Sequence, residues 1–111
     1  MLIEAVIAIL IFSIGILGIV GLQATAIQQS SDARYRAQAA ELAQQLLGQM
    51  WTGDRTAAVL QSQYNCTPPC AGAGTGYQKW NAQVSAALPG VATDANLKPA
   101  VTVDSQGVVV F

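Results

Sequence analysis

The sequence has no histidine, few charged side chains and only two cysteines among its 111 residues. Charged residues make up 10% of the chain, whereas soluble domains contain about 25%. The six carboxylates are scattered and the chain has no histidine base, so it has no recognisable catalytic pair and is not expected to be an enzyme or to hold a cofactor. The five basic residues do not cluster and the net charge is −1, so the sequence carries no specific nucleic-acid signal.

The two cysteines, Cys66 and Cys70, enclose Thr67-Pro68-Pro69. A structural zinc site needs about four ligands, which two cysteines without histidine cannot supply, so no metal site is expected. A thioredoxin-like redox pair normally has two intervening residues and a βαβ context, and both are lacking here. A structural disulfide is therefore favoured, and two free thiols are the main alternative.

Charge is almost absent from the beginning of the chain, where Glu4 is the only charged residue before Asp32. From Ala5 to Leu22 the one polar side chain is Ser13. These 18 residues would form about 27 Å of helix, which nearly spans the hydrocarbon core of a bilayer. A secretory signal would have a basic start and a shorter apolar centre, and a buried core helix is a further alternative. We interpret residues 1–23 as a retained transmembrane or filament-core helix segment.

The helical pattern continues beyond the apolar run, because no proline occurs in residues 1–52. Residues 24–53 are predicted to be an amphipathic continuation, with Gly53 at the expected helix stop. The sequence thus predicts one helix of about 50 residues, about 75 Å long, and a break near Ser30-Ser31-Asp32 is the alternative. The apolar positions recur every three or four residues at Tyr35, Ala39, Leu42, Leu46 and Met50.

Residues 54–111 are predicted to form a small globular head. A loop with the cysteine pair is expected over residues 54–76, including "GAGTG", which follows no strand and opens no obvious helix. A short helix is expected at about 77–88, and strands at about 98–104 and 107–111. The fold class is therefore α+β, with a long N-terminal α-helix packed on a small C-terminal antiparallel β-sheet.

Three glycines, Gly15, Gly18 and Gly21, lie three residues apart within the apolar run. Small residues let helices approach closely in lipid or in a dry bundle. Each glycine also weakens a helix by up to about 1 kcal/mol relative to alanine. Close helix packing and local pliability are therefore both open interpretations.

The stretch "LIEAVIAILIFSIGILGIVGLQ" resembles the start of a mature type IV pilin, in which an acid follows a short apolar start and precedes an apolar helix. The form "ILIFSIGILGIVGLQ", with a later tryptophan-containing helix ending "LPG" and then "VTV", is most similar to PilV-type minor pilins of the type IV pilin and pseudopilin superfamily. The specific part of the resemblance covers about the first 25 residues.

The resemblance implies a structural subunit held in the bacterial inner membrane and then assembled, through its N-terminal helix, into an extracellular pilus filament for adhesion, motility or DNA uptake. It implies cleavage of a short basic leader by a prepilin peptidase, methylation of the new N-terminal amine, and partnership with the pilus assembly machinery. Its filament partners would be copies of itself and other pilins. The family's glutamate pairs with the N-terminal amine of a neighbouring subunit, and Glu4 is the matching residue.

Several features depart from the family pattern. Glu4 stands one position earlier than the family's glutamate, so either the first residue of the mature chain is missing or Met1 replaces two residues. The proline that many major pilins carry late in the apolar segment is absent, which favours a minor pilin or pseudopilin. The sequence pattern predicts only two strands, so the globular part is either truncated or unusually small. The alternatives are a type II secretion pseudopilin and a single-pass membrane-anchored periplasmic binding module.

Overall fold

The computed structural model describes all residues, Met1–Phe111, and shows an α+β arrangement. The chain divides into two compact units, which we call the N-terminal unit (Met1–Tyr35) and the C-terminal unit (Arg36–Phe111). This division differs from the segments 1–23, 24–53 and 54–111 expected from composition. The later part of the long helix belongs to the C-terminal unit because its side chains join the core there.

The long helix α1 spans Leu2–Thr52 and confirms the prediction of one helix of about 50 residues. It runs through Ser30-Ser31-Asp32 without a break, so the alternative of two helices is wrong. Capping residues begin a helix only when the preceding chain leaves helical geometry. Here no proline interrupts the chain, and most of the residues on both sides of this polar stretch are good helix formers.

The end of α1 lies where the sequence predicts it, but Gly53 does not produce the stop by the expected mechanism. Only Gly72, Gly90 and Gly107 are glycines with positive φ, so Gly53 is not a left-handed cap. Instead the Thr52 hydroxyl donates to the carbonyl oxygens of Gly48 and Gln49, at 3.2 Å and 3.1 Å. Of these two carbonyls, that of Gln49 is among the last four of the helix, which lack an intrahelical donor, so the threonine hydroxyl partly satisfies the last turn.

A second helix, α2 (Ala57–Tyr64), occupies part of the region 54–76 that was expected to be a loop. Asp54 Oδ1 accepts from the Thr56 backbone N–H at 3.0 Å, which orders the turn before the helix. The side chain of Leu60 is buried in the core. Tertiary burial thus stabilises a helix of eight residues, which would be too short to be stable alone.

Helix α3 spans Thr75–Ala87, close to the predicted 77–88, and begins inside "GAGTG". The expectation that these glycines open no helix is therefore wrong. A Cβ on Gly74 would lie 2.6 Å from the Gln63 Cα, and one on Gly76 would lie 2.6 Å from Tyr64 Cε1. The glycines let the start of α3 approach α2 closely, and the Gln63 Oε1 accepts from the Thr75 hydroxyl at 2.7 Å.

The two-stranded antiparallel sheet consists of β1 (Thr102–Val103) and β2 (Val109–Val110). Thr102 pairs with Val110, and Val103 pairs with Val109. The strands are shorter than the expected 98–104 and 107–111, because Pro99 supplies no backbone donor and Asp104 starts the turn. Just before β1, Val101 forms an isolated antiparallel bridge with Cys66, separate from the β1–β2 pairing.

The core of the C-terminal unit combines residues from every helix of that unit except the 3₁₀ turn Ala95–Leu97. Trp80 Nε1 donates to the Leu42 carbonyl oxygen at 2.7 Å, which fixes α3 against α1. Gln61 Nε2 donates to the Val103 carbonyl oxygen at 3.2 Å, which joins α2 to β1. The buried side chains are Leu46, Met50, Leu60, Cys66, Tyr77, Trp80, Val84, Val91, Val101 and Val103.

Candidate functional site

The N-terminal unit consists of helix whose side chains are all exposed in the single chain. Its most apolar 18-residue stretch has a mean hydropathy of 2.8, and none of it is buried. By length and composition this helix can cross a membrane. Large apolar side chains point outward along the whole stretch, including Ile7, Leu10, Phe12, Ile16, Leu17, Ile19 and Val20.

Glu4 lies in the first turn of α1 and is exposed. The other polar side chain of the run, Ser13, donates its hydroxyl to the Ile9 carbonyl oxygen at 2.7 Å and so is satisfied within the helix. A carboxylate near a helix N-terminus interacts favourably with the helix dipole, by about 0.3–1 kcal/mol at an exposed position. That is too small to offset burial of the charge in an apolar medium, so a covered Glu4 has to be either protonated or paired with a cation.

The three glycines of the apolar run have open space around them. A Cβ added at Gly15, Gly18 or Gly21 would meet no heavy atom within 4 Å. The Gly21 carbonyl oxygen also accepts from the Thr25 hydroxyl at 3.2 Å. No contact within this chain therefore requires glycine at these positions, and their interpretation as packing or pliable sites stays a prediction.

Cys66 and Cys70 form a disulfide, as the sequence predicts. Cys66 is buried, and its backbone exchanges hydrogen bonds of 2.7 Å and 2.9 Å with Val101. The Tyr77 hydroxyl lies 3.4 Å from Cys70 Sγ and donates to the Pro99 carbonyl oxygen at 2.7 Å. The disulfide loop is thus attached to α3 and to the segment just before β1, and it belongs to the structural framework of the C-terminal unit.

Sequence reasoning missed Tyr77 as a member of this cluster. Burial raises the pKa of its hydroxyl above the ordinary value of 10.0, because the phenolate would lose hydration. The ring packs edge-on against Trp80, with centroids 5.9 Å apart. Their spacing of three residues on a helix is the signal that could have indicated the pair.

Two clefts in the C-terminal unit were also missed. One is an apolar groove of about 240 Å³, with Leu42, Trp80 and Phe111 among its walls. The other, of about 170 Å³, is lined by both polar and apolar side chains and includes Trp51 and Arg55. The Arg55 guanidinium carbon lies 5.1 Å from the centroid of the Trp51 ring. Neither cleft leaves a periodic signal, because each combines residues distant in sequence.

The structure contains no group of three or more cysteine, aspartate or glutamate side chains that could hold a metal ion. Comparisons with family models, curated proteins and solved structures find no match to this chain.

Proposed function

We propose that this chain is a structural subunit of a type IV pilus filament, a pilin or minor pilin that assembles through its N-terminal helix. One observation carries the proposal: α1 exposes an apolar surface interrupted by a single acid, while the C-terminal unit has its own core. A surface of this size needs lipid or other helices around it. A subunit that moves from a membrane into a helical bundle would be covered in both places.

The proposed role of Glu4 is to pair with the N-terminal amine of a neighbouring subunit. A carboxylate buried without a partner is costly, whereas one paired with a cation is tolerated. Apolar side chains pack with many axial offsets of similar energy, but an ion pair is satisfied at only one of them. The pair would therefore set the axial register between subunits, as a buried polar group does in coiled coils.

The proposed partners and location follow from the same helix. Before assembly the apolar segment would lie in the bacterial inner membrane, where a prepilin peptidase and the pilus assembly machinery would act on it. After assembly the segment would lie in the filament core among copies of itself and other pilins. The length and composition of the helix support membrane anchoring. Assembly of the chain into a filament is what we propose beyond that.

The test is the replacement Glu4→Ala, expressed beside the wild-type chain in a bacterium that assembles type IV pili. Breaking one buried ion pair costs about 3–5 kcal/mol, so the sheared filament fraction should lose the variant while the membrane fraction retains it. Glu41→Ala is the matched control, because Glu41 is an exposed acid of the same helix within the C-terminal unit. An immunoblot with normal Glu4→Ala in sheared filaments would contradict the pairing.

The alternatives give different results in the same experiment. A type II secretion pseudopilin would be absent from sheared surface filaments even as wild type, and Glu4→Ala would instead impair protein secretion. A single-pass membrane-anchored periplasmic binding module would stay in the membrane fraction, and Glu4→Ala would change neither fraction.

A further inference from the structure

Strand β2 pairs with β1 along one edge and with no strand along the other. The Asp104 N–H donates to the Val108 carbonyl oxygen at 3.0 Å, and from that pair the direction of backbone hydrogen bonding alternates along the two strands. The N–H and C=O of Val110 therefore point to Thr102 in β1, whereas those of Val109 point away from β1. No hydrogen bond from elsewhere in the chain reaches the Val109 N–H or C=O, so the outer side of β2 is an open sheet edge.

The outer edge of β1, by contrast, is satisfied within the chain. The backbone of Val101 exchanges hydrogen bonds of 2.7 Å and 2.9 Å with Cys66. The Val103 carbonyl oxygen accepts from Gln61 Nε2 at 3.2 Å. The sheet is therefore protected on one side only. An unpaired edge binds an extended strand of another chain, because the backbone of that strand supplies the missing donors and acceptors.

The residues of the open edge carry none of the charges or prolines that protect many sheet edges. The stretch 107–111 reads "GVVVF". Val109 packs against the core, whereas Val108 and Val110 lie on the other face of the strand and are 54% and 59% exposed. Branched side chains of this kind favour extended backbone and are stabilised by apolar neighbours on an adjacent strand. The edge therefore suits an extended, uncharged segment with apolar side chains.

We propose that the open edge of β2 pairs antiparallel with β2 of a second copy of this chain. When Val109 lies opposite Val109 of the second copy, the two residues exchange both backbone hydrogen bonds, and each Val108 lies opposite a Val110, where side chains come closest. Because β2 carries no charge, two identical strands meet without like charges opposite each other. The same register sets Phe111 opposite Gly107, where an added Cβ would meet no heavy atom within 4 Å, so the ring has space.

This pairing is weak by itself, because so short a strand buries far less than the roughly 1,200 Å² of a stable interface. We expect a dissociation constant of about 1 mM, so the contact forms where copies are held close together. The residues that form it all lie in the C-terminal unit. The inference therefore does not depend on the chain being a filament subunit.

The first test uses the full chain, labelled with ¹⁵N, in detergent micelles at a fixed detergent concentration. Exchange of amide hydrogens with water is measured by NMR at chain concentrations of about 0.1 mM and about 1 mM. The Val109 N–H should exchange about twofold more slowly at the higher concentration, because pairing hides it from water. The Val110 N–H is paired with Thr102 in either state, so its rate should not change. Association through α1 alone would leave both rates unchanged and would overturn the proposal.

The second test asks whether the occupant is a second copy in the proposed register. Val108→Lys and Val110→Glu should each weaken pairing about tenfold and so remove the concentration dependence, because each sets a charge against a valine of the second copy. An equimolar mixture of the two variants should restore it, because the introduced lysine then lies opposite the introduced glutamate. Thr102→Lys, which adds a charge to the same exposed face on β1, is the matched control and should behave as wild type.

Slow exchange of the Val110 N–H in each variant reports that β1 and β2 are still paired within the chain. The proposal is overturned if exchange of the wild-type Val109 N–H does not depend on concentration. It is also overturned if Val108→Lys keeps the wild-type dependence, or if the mixture behaves like its separate components.

Discussion

The two units of this chain use apolar residues in opposite ways. In the N-terminal unit every apolar side chain is exposed, whereas in the C-terminal unit Leu46 and Met50 of the same helix are buried against other elements. Hydrophobic content alone therefore does not determine burial in this molecule. The difference shows which apolar surface the chain covers by itself and which one it leaves exposed.

The two units also differ in whether their polar groups find hydrogen-bond partners within the chain. In the C-terminal unit the indole of Trp80, the hydroxyl of Tyr77 and the amide of Gln61 each donate to a backbone carbonyl. Only the side-chain oxygens of Gln38 and Asn81 are buried there without a partner. In the N-terminal unit, by contrast, the Glu4 carboxylate is exposed. The C-terminal unit thus satisfies most of its polar groups internally.

The largest effect is expected from Trp80→Ala, which removes both the packing and the hydrogen bond that join α3 to α1. Large-to-small changes of a buried aromatic side chain cost about 3–5 kcal/mol, a large part of the stability of a small domain. Denaturant unfolding followed by circular dichroism should show loss of the C-terminal unit. Trp51→Ala, at an exposed tryptophan, is the control and should unfold as wild type. Equal midpoints for the two variants would contradict this account of the core.

A somewhat smaller effect is expected from Gly74→Ala, where the new Cβ would meet the backbone of Gln63. Backbone cannot move aside as easily as a flexible side chain, so the cost should be about 1–3 kcal/mol. Gly48→Ala is the matched control, because a Cβ there meets no heavy atom within 4 Å and should stabilise the helix by up to about 1 kcal/mol. The two variants should shift the unfolding midpoint in opposite directions, and shifts of the same sign would be inconsistent with the close approach of α2 and α3.

The disulfide gives a third way to weaken the C-terminal unit without touching the N-terminal one. Because Cys66 and Cys70 enclose a short ring, replacing both by alanine should cost about 2 kcal/mol. In the native protein, a thiol reagent should add mass only after reduction. Ready labelling without a reductant would show that Cys66 and Cys70 are free thiols.

The sequence predicts the regular features well, because they repeat along the chain. The long helix follows from the absence of proline before residue 53 and from the spacing of apolar residues. The disulfide is the favoured interpretation, because the lack of other ligands disfavours a metal site and the spacing disfavours a redox pair, while two free thiols stay open. The sequence does not predict α2, whose eight residues depend on the burial of Leu60 in a core formed by distant segments. It also fails at Gly74 and Gly76, because glycine-rich stretches occur both in loops and where helices approach closely.

The candidate functional residues also differ in how well the sequence predicts them. Glu4 stands out in the sequence because it is the only acid in a long apolar run. The cleft at Trp51 could not be predicted, since it depends on the turn after β1 bringing Gln106 and Gly107 near the end of α1. Such proximity is a property of the folded chain and leaves no pattern of spacing in the sequence.

The smallest expected effect is at Gly18, and it separates the two interpretations of the glycines in the N-terminal unit. Alanine and leucine have similar helix propensities, so Gly18→Ala and Gly18→Leu should each stabilise the helix by up to about 1 kcal/mol. They differ in size, and only close packing between helices is sensitive to that difference.

Because nothing in the chain fills the space beside Gly18, we expect incorporation into sheared filaments to fall slightly for Gly18→Ala and more for Gly18→Leu. Immunoblots of membrane and filament fractions would measure both variants together. Equal losses would assign Gly18 to helix pliability, since the two variants stiffen the helix alike. Normal incorporation of both would show that assembly covers the N-terminal unit without close contact at this glycine.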